Sequence, residues 1–169
     1  MNLIKKGVLA TVLTVGFSSI VPAYAATATL TWTGIVPGSS ADDRIVITGE
    51  NGSLSSISGT IIAQEDGTFT SDALVVESHK NTGTSSAPVI GELVDVNWKM
   101  TANTIRFDNK EVSNANLEVI VNGQKMSVGD VISAKNTLST KVTQTAILSA
   151  ADVAQATVQA SVTLLAESI

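Results

Sequence analysis

The sequence predicts an all-β protein, a single sandwich of about eight short strands. Three observations carry this. Beyond about position 25 the chain is crowded with Thr, Ser, Val, Ile and Gly and poor in apolar residues at helical spacing. Several stretches alternate apolar and polar residues with a period of two, which buries one strand face and leaves the other to water. Turn pairs such as Asn51-Gly52 and Asn122-Gly123 punctuate those stretches.

The chain opens with the three parts of a secretion leader. Lys5-Lys6 supplies the charged start, residues 7–15 an apolar run too short to span a membrane, and Ala23-Tyr24-Ala25 an A-x-A cleavage site. A signal peptide over 1–25 is therefore expected. Its removal takes 25 of 169 residues and leaves 144, enough for one domain with its own core. All 15 acidic but only 8 of the 10 basic residues lie beyond the cut, a net charge of −7. That balance argues against nucleic acid or an anionic membrane as partner. No cysteine is present, so an exported domain of this kind is held by packing, metal or assembly.

The first stretch after the leader sets the main question. Ala28, Leu30, Trp32 and Val36 form an apolar row, interrupted by Gly34, opposite Thr27, Thr29, Thr31 and Thr33. A strand at a chain start frays unless something covers it. The rest of this chain, or another copy of it, must therefore cover that face.

The remaining elements follow in order. After the turn cluster Pro37-Gly38-Ser39-Ser40, residues 44–48 read as a short strand ending at Gly49. Residues 54–64 place Ile57, Gly59, Ile61 and Ala63 on one face, Glu65-Asp66-Gly67 turns the chain, and 68–77 returns it. Residues 78–88 are expected as a polar loop. Residues 93–101 form the clearest internal strand, with Val94, Val96, Trp98 and Met100 alternating with polar neighbours, and 104–108 carries Ile105 and Phe107 on one side. Residues 117–121 and 124–128 flank Asn122-Gly123 as a hairpin whose turn residues suit positive φ. Residues 137–148 read as another strand. Ser149 then caps a single helical turn, and 156–166 is the last strand, with Val158, Ala160, Val162, Leu164 and Ala166 on one face.

Chemistry-bearing constellations are missing from this pattern. His79 is the single histidine and is expected to be solvated in the 78–88 loop. With no cysteine or second histidine there is no zinc cluster or Cys/His pair, and a loop tip is a poor place to hold a triad imidazole. Asp42-Asp43 and Glu65-Asp66-Gly67 lack the spacing of an EF-hand and read as turn-forming acids. The glycines match no phosphate-binding spacing. Trp32 and Trp98 lie on the apolar side of alternating stretches, which favours core burial over sugar stacking. The residues predict no enzyme, no cofactor and no metal.

Three local stretches resemble a known family. They are Leu30-Thr31-Trp32-Thr33-Gly34-Ile35-Val36-Pro37, Val119-Ile120-Val121-Asn122-Gly123-Gln124-Lys125-Met126-Ser127-Val128-Gly129, and Ala150-Ala151-Asp152-Val153-Ala154. Together with the leader and the alternating C-terminal strand, they make the chain similar to chaperone–usher fimbrial subunits, in particular the cysteine-free pilins of enteric colonisation fimbriae. The resemblance implies an incomplete immunoglobulin-like β-sandwich over 41–169 and an N-terminal donor strand and linker over 26–40. It implies that Ala28, Leu30, Trp32, Gly34 and Val36 insert into a neighbouring subunit. Val158, Ala160, Val162 and Leu164 would face the acceptor groove, filled first by a periplasmic chaperone and then by the next subunit's donor strand. The implied partners are other fimbrial subunits in a head-to-tail polymer, the chaperone, an outer-membrane usher and a host receptor, with export through the periplasm to the cell surface. Two readings of function share this fold: a shaft subunit serving adhesion, and a minor or tip subunit that itself binds a host receptor. Two registers also remain open, with residues 26–36 as donor, or residues 30–36 as the first body strand. Many such subunits carry a tyrosine one residue before the terminus, whereas this chain ends Glu167-Ser168-Ile169.

Overall fold

The period-two stretches become antiparallel strands. The computed structural model describes residues 44–55, 57–84 and 86–169, and the backbone of 29–31. The strands are β1 (Thr29–Thr31), β2 (Ile45–Gly49), β3 (Thr60–Ala63), β4 (Phe69–Ser71), β5 (Leu74–Asn81), β6 (Ile90–Leu93), β7 (Val96–Phe107), β8 (Leu117–Val121), β9 (Gln124–Met126), β10 (Val131–Lys135), β11 (Thr137–Gln144) and β12 (Val158–Ser168), with one helical turn, α1 (Ala150–Val153), before the last. The described chain is all-β.

A nine-stranded sheet runs β1-β3-β4-β11-β5-β2, with β6 added to β5, β8 to β11 and β9 to β8. β4 and β5 both pair along β11, through Thr70↔Thr143 and Leu74↔Thr140. β3 flanks β4 and β2 flanks β5. A second sheet of three strands runs β10-β7-β12. Both sheets contribute to one buried core, in which Val96, Trp98 and Met100 of β7 join Ile61, Phe69, Val119, Leu138 and Val142.

Trp98 is fully buried, and its Nε1–H donates to the Lys135 carbonyl at 2.9 Å. The indole thus keeps its one polar group satisfied while its ring fills the core. Trp32 lies outside the described residues.

The expected strands 93–101 and 104–108 are joined in one twelve-residue strand, β7, which begins at Val96, while Leu93 ends β6. Thr163 pairs with Ala102 but Leu164 with Met100, which leaves Thr101 as an extra residue. This bulge reverses which parity faces inward. Val96, Trp98 and Met100 point to the core before it, whereas Ile105 and Phe107 do so after it. The bulge keeps β7 continuous where the pattern reads as a break.

The Asn122-Gly123 hairpin forms as expected, with Val121 opposite Gln124. Asn122 has φ 49° and Gly123 φ 82°, and Asn122 Oδ1 accepts the Ser139 amide at 2.9 Å. No atom lies within 4 Å of a Cβ built on Gly123, so a substitution there acts through the backbone alone. Gly123→Val is expected to destabilise the fold by about 1–2 kcal/mol, read as a lowered denaturant midpoint at unchanged slope.

Among the described residues, the 54–64 stretch is strand only over Thr60–Ala63, and Leu54 is exposed. β10 has no counterpart in the pattern. Its residues are mostly exposed and its pairing to β7 shifts register between Ile132 and Lys135, so it shows no alternation. Ser149 caps α1 as expected, its Oγ accepting the Ala151 amide at 3.2 Å.

Candidate assembly site at the C-terminal strand

β12 is eleven residues long, and among the described residues its only ladder partner is β7. Among the described residues no strand is laddered to its other edge. The residues expected to face a groove lie on the inward row of this strand. Val158 and Ala160 are buried, at 2% and 3% exposure, and Ala166 closes the row at 5%. Val162 and Leu164, between them, are only half-buried, although they pack against the core. The cover over the inward face is thus thinnest at the middle of β12. Such a place suits an added strand, which brings ladder hydrogen bonds to the edge and apolar side chains to the row.

The larger sheet approaches this edge at two points. Arg44, next to β2, donates from Nη2 to Ser168 Oγ at 3.2 Å. Cα atoms of both β1 and β2 come within 8 Å of β12. β1 itself is paired, antiparallel to β3, with Leu30 opposite Ile61. Of the residues expected to donate, Leu30 is therefore placed on the edge of the larger sheet of its own chain. Ala28, Trp32, Gly34 and Val36 lie outside the described residues. The strand β2 begins at Ile45, where the donor register puts the first body strand.

The 78–88 stretch differs from the expectation of a solvated loop. Residues 78–81 complete β5, and Ser78, His79 and Asn81 are buried. Ser78 Oγ donates to the Val94 carbonyl at 2.7 Å. Asn81 Oδ1 accepts the amides of Gly83 and Val89 at 2.9 and 3.1 Å, which folds the remaining loop back on the strand. His79 is not solvated. Its Nδ1 lies 3.0 Å from the Gly91 carbonyl, which can only accept, so Nδ1 carries a proton. Its Nε2 lies 3.1 Å from Glu77 Oε2. The polar run offsets its desolvation cost by pairing these groups with partners, some of them on neighbouring elements.

Glu77 Oε2 also accepts the Gly52 amide at 3.0 Å. Burial on its own would raise the Glu77 pKa. The amides of Gly52 and Asn51 and the His79 ring outweigh it and hold the carboxyl below its ordinary 4.5. A depressed folded pKa contributes stability that is present above the unfolded value and lost as pH falls through the folded one. The stability advantage of the native protein over Glu77→Gln is therefore expected to be full at pH 6–7 and to shrink as pH falls below about 4.5. Denaturant midpoints of the two proteins across that range check this.

Asp66 is engaged within its own turn. Its Oδ1 accepts the Thr68 hydroxyl at 2.7 Å and the Thr68 amide at 3.0 Å, which lowers its pKa. This is the turn-forming role expected for it. Asp42 and Asp43 lie outside the described residues. Among the described residues no three or more His, Asp or Glu side chains gather as a metal-binding group.

Comparison with known proteins gives no relative: no protein-family model, no curated protein and no solved structure matches the chain.

Proposed function

We propose that the protein is a structural subunit of a bacterial surface fimbria, an incomplete immunoglobulin-like β-sandwich that polymerises by donor-strand exchange and serves adhesion to host surfaces. The observation that carries this reading is β12, an eleven-residue strand that pairs only with β7 among the described residues and whose inward row is half-buried at Val162 and Leu164. An extended segment laid along that edge would complete the smaller sheet and bury both side chains. Residues 26–36 have the alternation such a segment needs, and they follow a leader that directs export. The missing cysteines fit the same account, because the covering strand of a neighbour takes the stabilising role that disulfides play in other exported domains.

In this reading the subunit passes through the periplasm bound to a chaperone, is assembled at an outer-membrane usher, and contacts other subunits head to tail. Immunogold labelling of intact cells tests it. Label spaced along the length of surface fibres is expected for a shaft subunit. Label at fibre ends alone supports a minor or tip subunit that meets the host receptor itself, and label on no fibre overturns the proposal.

A further inference from the structure

Glu77 and His79 stand on the same face of β5 with most of each side chain buried, at 13% and 10% exposure. Each also reaches a different neighbour. Glu77 Oε2 accepts the amide of Gly52, in the turn Glu50–Gly52 that follows β2. His79 Nδ1 faces the Gly91 carbonyl of β6. The pair thus fastens two segments, distant in sequence, to one strand.

The fastening needs a proton. Both ring nitrogens face acceptors, the Gly91 carbonyl at 3.0 Å and the Glu77 carboxylate at 3.1 Å. A neutral imidazole donates from one nitrogen only, so its other lone pair would point at a carboxylate oxygen. Glu77 does not supply the second proton, because the amides of Gly52 and Asn51 favour its ionised form. Thr48, opposite Glu77 on β2, donates its hydroxyl to the Gly49 carbonyl instead. The ring therefore completes both bonds only as the imidazolium. A buried cation is costly unless a counter-charge faces it, and the Glu77 carboxylate is that charge.

We propose that Glu77 and His79 form a proton-operated clasp, which holds the Glu50–Gly52 turn to β5 while both ring nitrogens are protonated and releases it when Nε2 loses its proton. The lone pair then left at Nε2 repels the carboxylate, which swings toward water and leaves the Gly52 amide without its acceptor. Contacts made only by the charged ring contribute stability at low pH and are lost as pH rises. The link to β6 survives, since Nδ1 keeps its proton, and the two-sheet core stays folded. The other charged groups on the surrounding elements do not operate the clasp. Lys80 leaves β5 on the opposite face, and Glu50 in the turn and Glu92 on β6 are exposed. β2 sets uncharged Val46 opposite the ring, and Arg44, just before that strand, donates to Ser168 Oγ. β6 sets Leu93 opposite the ring, and β11 sets Thr137 opposite Glu77. Among the described residues, Glu77 is the one charged group hydrogen-bonded to the ring.

The chain has a single histidine, so its ring gives one unambiguous set of magnetic-resonance signals. The full mature chain, labelled with nitrogen-15 in that ring, is titrated from about pH 6 to about pH 9. Two protonated ring nitrogens are expected at the acid end and one at the alkaline end. Amide exchange is read in parallel at Gly52, held by Glu77, and at Ser139, held by the Asn122 carboxamide, which does not titrate. The ratio of Gly52 to Ser139 exchange is expected to rise at least about tenfold across the titration in the native chain. In His79→Phe the same ratio is expected to stay level. A ring that is already neutral at the acid end, or a level ratio in the native chain, overturns the clasp. These two readings need no variant. An equal rise in His79→Phe overturns it as well.

Discussion

Removing residues 26–36 is expected to abolish fibre formation and to leave a folded body that the chaperone still binds and that takes up a donor peptide in trans. The core among the described residues runs from Ile45 to Ala166, and β2 to β12 all lie outside the deleted stretch. What the deletion removes is β1 and, in the proposed reading, the donor. Inserted into a neighbour, Leu30 and Trp32 would each contribute roughly 1.5–3 kcal/mol by burial, and each new ladder hydrogen bond about 0.5–1.5 kcal/mol. Five or so inserted positions then supply on the order of 10 kcal/mol per junction before ordering costs. No surface contact of ordinary size replaces that. If residues 30–36 were instead the first body strand, the deletion would remove core and no soluble body would be recovered. Fibres of normal length from the deleted protein would contradict donation altogether.

Val162→Asp is expected to eliminate surface fibres while sparing much of the free subunit's fold. Val162 is half-buried on the inward row of β12, opposite Asn103 of β7. In an uncovered subunit a carboxylate there keeps part of its water. Once a chaperone or donor strand lies along β12, the same group must be desolvated without a partner, at a cost of several kcal/mol. The subunit then fails to be held or exchanged and is degraded in the periplasm. Val162→Ile, which keeps the row apolar, is expected to leave fibre yield nearly unchanged. A normal yield from Val162→Asp, measured by fibre shearing and protein gel, would contradict the placement of the site.

How much of this was legible in the sequence depended on whether a residue's environment is set locally. The row Val96, Trp98 and Met100 reads directly from alternation, because period two and burial of one face express the same geometry. The Asn122-Gly123 hairpin reads from two residues whose positive φ the turn requires. The bulge at Thr101 does not, since an extra residue in a continuous strand looks in one dimension like the end of one strand and the start of another. Ser78, His79 and Asn81 look like a loop because they are polar. Their burial depends on acceptors and donors at Val94, Gly91, Glu77 and Val89, some of them on separate elements. β10 is exposed and irregular, and no hydrophobic pattern marks it.

The candidate site divides in the same way. The inward row of β12 was legible, with Val158 and Ala160 buried as the alternation requires. That the cover thins at Val162 and Leu164 was not, because it depends on what stands across from them rather than on their own identity. The pairing of β1 with β3 was equally hidden, since alternation shows that a face needs covering without showing what covers it.

The most direct test is the structure of the assembled fibre, determined by helical reconstruction from electron cryo-microscopy images. The account predicts that residues 26–36 of one subunit run along the free edge of β12 in the next, with Leu30 and Trp32 seated over Val162 and Leu164. A fibre in which each β12 edge is bare, or is covered by its own chain, would contradict it.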